Sequence, residues 1–250
     1  MSVGGSLKSE LRGLWAGGDG VSLGTVVVGW GLLNGVRMVY PGLLPHLQDA
    51  YGLTLKTVGL LVTVLWLSVS VGQVPSGILA DRHDESAIMA ASTVVVGTDL
   101  TLVVVASSAL VLFAATMLWG FGHALYSIAW ITFLSKLYDN RLRSALDVTM
   151  ATEDIGQIVL PPVATALTAA VAWQLGLWCI IPVLVIISVV LFLVPVPQSA
   201  HSGSAGSLRE ITRIVGELRT QSMGLMTLIL FLYLFIWQSF TAFIRRISHG

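Results

Sequence analysis

Five ionisable side chains stand inside stretches of this sequence that are otherwise apolar: Arg37, Asp99, His123 and the adjacent pair Glu153 and Asp154. A charge held in hydrocarbon costs several kcal/mol unless it is paired or hydrated, so each is a candidate for function. Arg37 has three readings: it binds an anionic group on a ligand, it forms a structural pair with an acid, or its long side chain reaches out to an interface. Glu153 and Asp154 are neighbours, and on a helix that turns them about 100° apart, so only one can face a given cavity. A buried carboxylate without a partner favours its protonated form, which suits taking up and releasing a proton, whereas a fixed pair with Arg37 would hold it ionised. At a rise of about 1.5 Å per residue, Glu153 falls nearer one end of its helix and Arg37 nearer the opposite end, which speaks against a simple pair. His123 either titrates near physiological pH or is a neutral ring hydrogen-bonded between helices. For Asp99 a structural bond to a neighbouring helix is the favoured reading.

Pro161 and Pro162 sit in the same stretch as the two acids and must disturb its backbone hydrogen bonds, so they mark either a hinge or a static kink. The eight tryptophans look scattered, those near the ends of apolar runs serving as interface anchors. There is no Gly-Lys-Ser/Thr phosphate loop, no His-Glu-x-x-His, no Gly-x-Ser-x-Gly and no Cys-x-x-Cys. The chain is therefore not expected to be an enzyme, and no metal or cofactor is implied.

The elements that must hold these residues follow from composition. Of 250 residues, 55% are hydrophobic and only 10% charged, with a mean hydropathy of +0.87, against about 25% charged in soluble domains. Uncharged runs such as Thr57 to Ala80 and Leu100 to Ser135 match or exceed the roughly 20 residues that cross a bilayer. A net charge of zero gives no basic face for nucleic acid. Gly, Pro and charge clusters divide the chain into seven predicted helices at Val21–Leu44, Thr57–Ala80, Ala87–Ser107, Leu110–Leu134, Ala145–Val171, Leu175–Val194 and Met223–Ile244. The lone Cys179 is expected as a small core residue of the sixth.

Lys and Arg concentrate in alternate loops, which predicts a cytoplasmic N-terminus in a multi-pass protein of the cell membrane. The expected domains are a cytoplasmic segment (1–20), a six-helix bundle (21–195), a linker with a short amphipathic helix (196–222), a seventh membrane helix (223–244) and a tail (245–250).

The turn between the second and third helices, GILADRHDES, concentrates charge that the chain otherwise avoids. Gly77 allows another backbone to approach, Asp81 can face a helix N-terminus, and Arg82 can bridge to a carboxylate or headgroup. Asp84 and Glu85 are expected only to solvate the turn. Gly77-Ile-Leu-Ala-Asp81-Arg82 resembles the loop signature Gly-x-Leu-Ala-Asp-Arg-x-Gly-Arg-Arg of the major facilitator superfamily over its first six positions. His83 to Ser86 depart from it, standing where that family places a glycine and several arginines. Arg37-Met-Val-Tyr-Pro-Gly-Leu-Leu-Pro45, Gly120-Phe-Gly-His123 and Glu153-Asp-Ile-Gly-Gln-Ile-Val-Leu-Pro-Pro162 resemble the same family, across residues 21 to about 195.

That resemblance implies an all-α six-helix bundle of two inverted three-helix repeats, with a further membrane helix, forming a secondary transporter that works by alternating access. Gly72-Gln and Gly156-Gln in symmetry-related helices are an internal echo of the repeat. Gly77, Asp81 and Arg82 would be the gating turn. Arg37, Glu153, Asp154 and His123 would bind or couple, with protons as the candidate driving ion and Pro161 and Pro162 as hinge candidates. The partners implied are a small solute, anionic or hydrophobic, the lipid bilayer and a second bundle missing from a truncated or split chain. The alternative is a non-transporting remnant or membrane scaffold.

Overall fold

A computed structural model describes residues 13–15, 19–106, 108–138, 140–170 and 173–193, together with Leu225, Leu228, Ile229 and Leu232. Seven helices follow one another among these residues: α1 (Asp19–Tyr51), α2 (Leu55–Ala80), α3 (Glu85–Val105), α4 (Ala109–Leu137), α5 (Leu142–Ala170), α6 (Trp173–Trp178) and α7 (Ile180–Leu193). The amphipathic linker helix, Arg245 and Arg246 lie outside the described residues, as does most of the seventh predicted span, whose four described residues are helical.

Among the described residues five stretches are long and apolar enough to cross a bilayer: Asp19–Tyr40, Leu55–Ala80, Glu85–Val105, Ala109–Leu137 and Trp173–Leu193. With 29 residues, α5 is as long but carries Arg143, Asp147, Glu153 and Asp154 and is not apolar enough to be counted with them. No strand occurs among the described residues. The chain is an all-α polytopic membrane protein.

Two boundaries differ from expectation for local reasons. Helix α1 runs seven residues past the predicted Leu44 and stops only at Gly52, whose φ of 59° is the left-handed conformation that glycine supplies at a helix C-terminus. Three residues then suffice before α2, whose first turn is capped by Thr54 Oγ1 accepting from the Thr57 N–H at 3.3 Å. The sixth predicted helix is interrupted at Cys179, because Pro182 has no N–H to offer the Trp178 carbonyl one turn back. Cys179 is exposed at this break rather than packed in a core.

Helix pairing is set by glycine. Helix α1 packs along α5, α2 along α4, and α3 along both α4 and α7. A Cβ on Gly156 would collide with the Gly31 carbonyl, and one on Gly35 would stand 2.8 Å from the Gly156 carbonyl oxygen. The second crossing repeats the first: a Cβ on Gly120 would stand 2.8 Å from the Val69 nitrogen, and Gly72 lies against Ala124. Small residues that let backbones touch are the usual means of association where lipid removes the hydrophobic drive. Gly31 meets Thr152 and Gly35 meets Gly156, as Gly120 meets Ser68 and Ala124 meets Gly72. The Gly-Gln echo in the sequence is thus one mark of two crossings in the same register.

The GILADR turn does not behave as its glycine suggested. A Cβ on Gly77 would meet only the Ile128 side chain, at 3.9 Å, so no backbone approaches there. Asp81 closes α2 by donating its own N–H to the Gly77 carbonyl, and Asp81, Arg82 and Asp84 are exposed. Glu85 is not a solvating residue either: it is 2% exposed and pairs with Lys136 at 2.5 Å. Glu85 lies in the first turn of α3 and Lys136 in the last turn of α4, so both helix dipoles favour the pair.

Two stability measurements in detergent follow. Gly156→Val forces α1 from α5 and lowers the melting temperature far more than Gly59→Val, where nothing lies within 4 Å of a new Cβ. Glu85→Gln, which leaves Lys136 unpaired, costs about 3 kcal/mol, whereas replacing both partners by Leu and Met recovers most of the loss.

Candidate functional site

The α1–α5 crossing decides which side chains meet. Gly31 and Gly35 occupy the contact, and Trp30 and Arg37, two turns apart on one face, project past it toward Glu153. Trp30 Nε1 donates to Glu153 Oε2 at 2.7 Å, Gln157 Nε2 donates to Oε1 at 3.0 Å, and Arg37 Nη2 lies 3.6 Å from the same oxygen. The depth argument against pairing Arg37 with Glu153 is therefore overturned. In the register of the crossing, Gly31 lies at Thr152 and Gly35 at Gly156, which puts Glu153 between the levels of Trp30 and Arg37. Side chains tilted toward the helix N-terminus close the remaining gap.

The pair is incompletely satisfied. Arg37 Nε has no hydrogen-bond partner, and its side chain and that of Glu153 keep 19% and 16% of their exposure. On its other side the Arg37 guanidinium lies 5.6 Å from the centre of the Trp66 ring, a cation–π contact from α2. Trp66 is itself 40% exposed. The arginine is thus held by a carboxylate and a ring, with donor capacity left over. Asp154 does not join: the turn of about 100° that separates it from Glu153 leaves it exposed.

Behind Glu153 lies an aromatic cluster that the sequence did not bring together. The Trp30 ring centre is 5.3 Å from His123, 6.1 Å from Tyr126 and 5.4 Å from Trp130, and Trp119 stacks on His123 at 5.0 Å. The tryptophans at 30, 119 and 130 are buried core residues. Tyr126 is locked by donating to the Val26 carbonyl at 2.9 Å. His123 is clasped between two indoles, and neither ring nitrogen has a hydrogen-bond partner, so it is not the interhelical bridge anticipated. The overlooked signal was a dipeptide: Trp30-Gly31 and Trp119-Gly120 hold equivalent places in the two crossings. Trp119 Nε1 is without a partner, because Val69 stands on α2 where Glu153 stands on α5.

The remaining candidates lie apart. Helix α5 continues through Pro161 and Pro162. Beyond them the α1–α5 contact loosens around a cavity of about 50 Å³ lined by Val39, Leu43, His46, Pro161, Ala164 and Thr168. Asp99 is 1% exposed, and among the described residues it makes neither the expected interhelical bond nor an ion pair; its Oδ1 has no partner.

An arginine, a carboxylate and stacked rings at membrane depth can bind and release a charged solute or a proton without forming covalent bonds. No curated protein matches the chain. The family model described as Major Facilitator Superfamily matches residues 25–248, spanning the α1–α5 and α2–α4 crossings and every residue of the site, and the chain belongs to this superfamily of membrane transporters.

Proposed function

We propose that the chain performs secondary active transport of a small anionic solute by alternating access, coupled to protons, with Arg37 as the anion-binding group and Glu153 as the coupling carboxylate. The observation that carries this reading is the unsaturated Arg37–Glu153 pair: 3.6 Å apart, with Arg37 Nε unpartnered and a half-exposed Trp66 beneath the guanidinium.

An anionic group entering beside Trp66 competes with Glu153 for the guanidinium. As the anion takes Arg37, the Glu153 carboxylate loses its counter-charge and accepts a proton from the aqueous side, so cation, substrate anion and acid remain neutral as a unit. Release of the anion reverses the step: the proton leaves Glu153 to water and the ion pair closes again. Trp30 and Gln157 position the carboxylate and hold it within reach throughout. The tight Gly31–Gly156 contact keeps this part of α5 against α1, while the segment beyond Pro161 is free of such contacts and serves as the moving end. The Asp81–Arg82 turn, exposed on the opposite end of the bundle, supplies the gating contact to a facing bundle. The distribution of Lys and Arg supports a cytoplasmic N-terminus in the cell membrane.

Helix α2 supports a transporter over a scaffold. Only 22% of its apolar span is buried, against 61% for α1, and Thr63 and Ser70 are exposed on it among Leu60, Leu67, Val71 and Val74. Hydroxyls interleaved with apolar groups fit a face that meets protein and water in alternation.

Purified full chain in liposomes, screened with small organic anions under an imposed pH gradient, tests the proposal. Uptake is expected to respond to the gradient. Glu153→Gln should retain exchange of a bound anion but lose its pH drive, and Arg37→Gln should weaken anion binding at least tenfold. Gradient-driven uptake that survives Glu153→Gln removes Glu153 from coupling. Binding indifferent to Arg37→Gln removes the anion assignment.

A further inference from the structure

Three carboxyl groups stand at membrane depth in the described helices, and the fold treats them differently. Glu153 has Arg37, Trp30 and Gln157. Asp154 is exposed. Asp99 has no counter-charge among the described residues: it lies 14 residues into α3, about 21 Å along the helix, is 1% exposed, and its Oδ1 is without a hydrogen-bond partner there.

The surroundings on each side account for this isolation. From α1 the titratable group within electrostatic reach of Asp99 is Tyr40, and its hydroxyl is engaged with Thr116 Oγ1 of α4 at 2.6 Å. Thr116 in turn donates to its own helix, to the Leu112 carbonyl at 2.9 Å. The titratable residues of α4 are His123, Tyr126 and Lys136, all at least two turns from Thr116, and α6 and α7 carry no Asp, Glu, Lys, Arg or His. No cation reaches the carboxyl among the described residues. An ionised carboxylate in such a place costs several kcal/mol, whereas the neutral acid is tolerated by closely packed helices.

We propose that Asp99 is a second proton-carrying group of the transporter, protonated while α3 is packed against α4 and α7 and deprotonated only when that packing opens. Opening admits water beside Oδ1; the proton passes from the carboxyl to that water, and the carboxylate left behind is stable only while hydrated, so it holds the helices apart until it is protonated again. Proton occupancy of Asp99 and closure of α3 against α4 and α7 are then one equilibrium. This rests on the transport reading above only for its place in a cycle; the linkage between protonation and packing stands on the site itself.

Infrared difference spectroscopy of the full chain in lipid, titrated from mildly acidic to alkaline pH, reads the acid directly. Deuterium uptake by α3, corrected for the intrinsic pH dependence of exchange, reads the packing. A protonated-carboxyl band is expected at neutral pH that is lost in Asp99→Asn and retained in Glu153→Gln. In the wild type, alkalinisation should remove this band and raise α3 uptake together; in Asp99→Asn, a near-isosteric neutral mimic, uptake should stay low at every pH. A band unchanged by Asp99→Asn, or a pH-dependent α3 uptake that persists in that variant, overturns the proposal. Should Asp99→Asn not fold, Asp99→Glu must shift the pH at which band and uptake change together, and an unshifted transition is equally fatal. If band and uptake behave as expected but liposomes take up no anion under a pH gradient, the transport reading fails and the proton site stands.

Discussion

The contact between Gly31 and Gly156 is the constraint on which the site depends. Where two helices touch through backbone, the side chains that flank the contact are forced past it and toward the facing helix. Trp30, Arg37 and Glu153 meet for this reason: the crossing gives them a common level and the absence of Cβ atoms brings them within hydrogen-bond range. A crossing held by leucines would set the axes farther apart, near the upper end of the 8–10 Å that packed helices span, and the Trp30–Glu153 bond could not form.

The second crossing shows which part of this arrangement is architecture and which is chemistry. Gly120 and Gly72 reproduce the backbone contact, and Trp119 reproduces the tryptophan beside it. The charges are not reproduced. Val69 stands for Glu153, Tyr126 for Arg37, and the Trp119 indole is left without an acceptor. The repeat supplies a scaffold twice, and one copy has been equipped with an ion pair while the other is filled with rings. His123 lies at the seam between them, clasped by the tryptophan of each copy.

What was legible in the sequence was what hydrocarbon dictates. Run length and charge placement located the helices of the bundle to within a few residues at most ends, and the GILADR turn pointed to the superfamily. Legibility failed where three-dimensional register decides. Depth counted along separate helices placed Arg37 and Glu153 apart, because the counting ignored where the helices cross and how far an arginine reaches. Glu85 looked like a loop charge because its partner, Lys136, lies some fifty residues away in sequence. Asp99 was expected to have a partner on general grounds, and only the packing of α3 shows none. The Trp-Gly dipeptides were visible throughout, but their meaning required knowing that α1 and α4 are equivalent.

The Glu85–Lys136 and Arg37–Glu153 ion pairs differ in a way that bears on motion. Glu85 and Lys136 sit at helix ends whose dipoles reinforce each charge, at 2.5 Å, with the carboxylate 3% and the ammonium 29% exposed, and this contact fastens the start of α3 to the end of α4. Arg37 and Glu153 sit mid-helix, without dipole support, at 3.6 Å and with both groups still partly exposed. Neither partner is bound so well that the pair cannot be exchanged for another ligand, yet each is too costly to leave alone at that depth. Were Arg37 and Glu153 as close as Glu85 and Lys136, the anion proposed to enter here would have to displace a contact worth as much as any it could form, and the pair would act as a structural clamp.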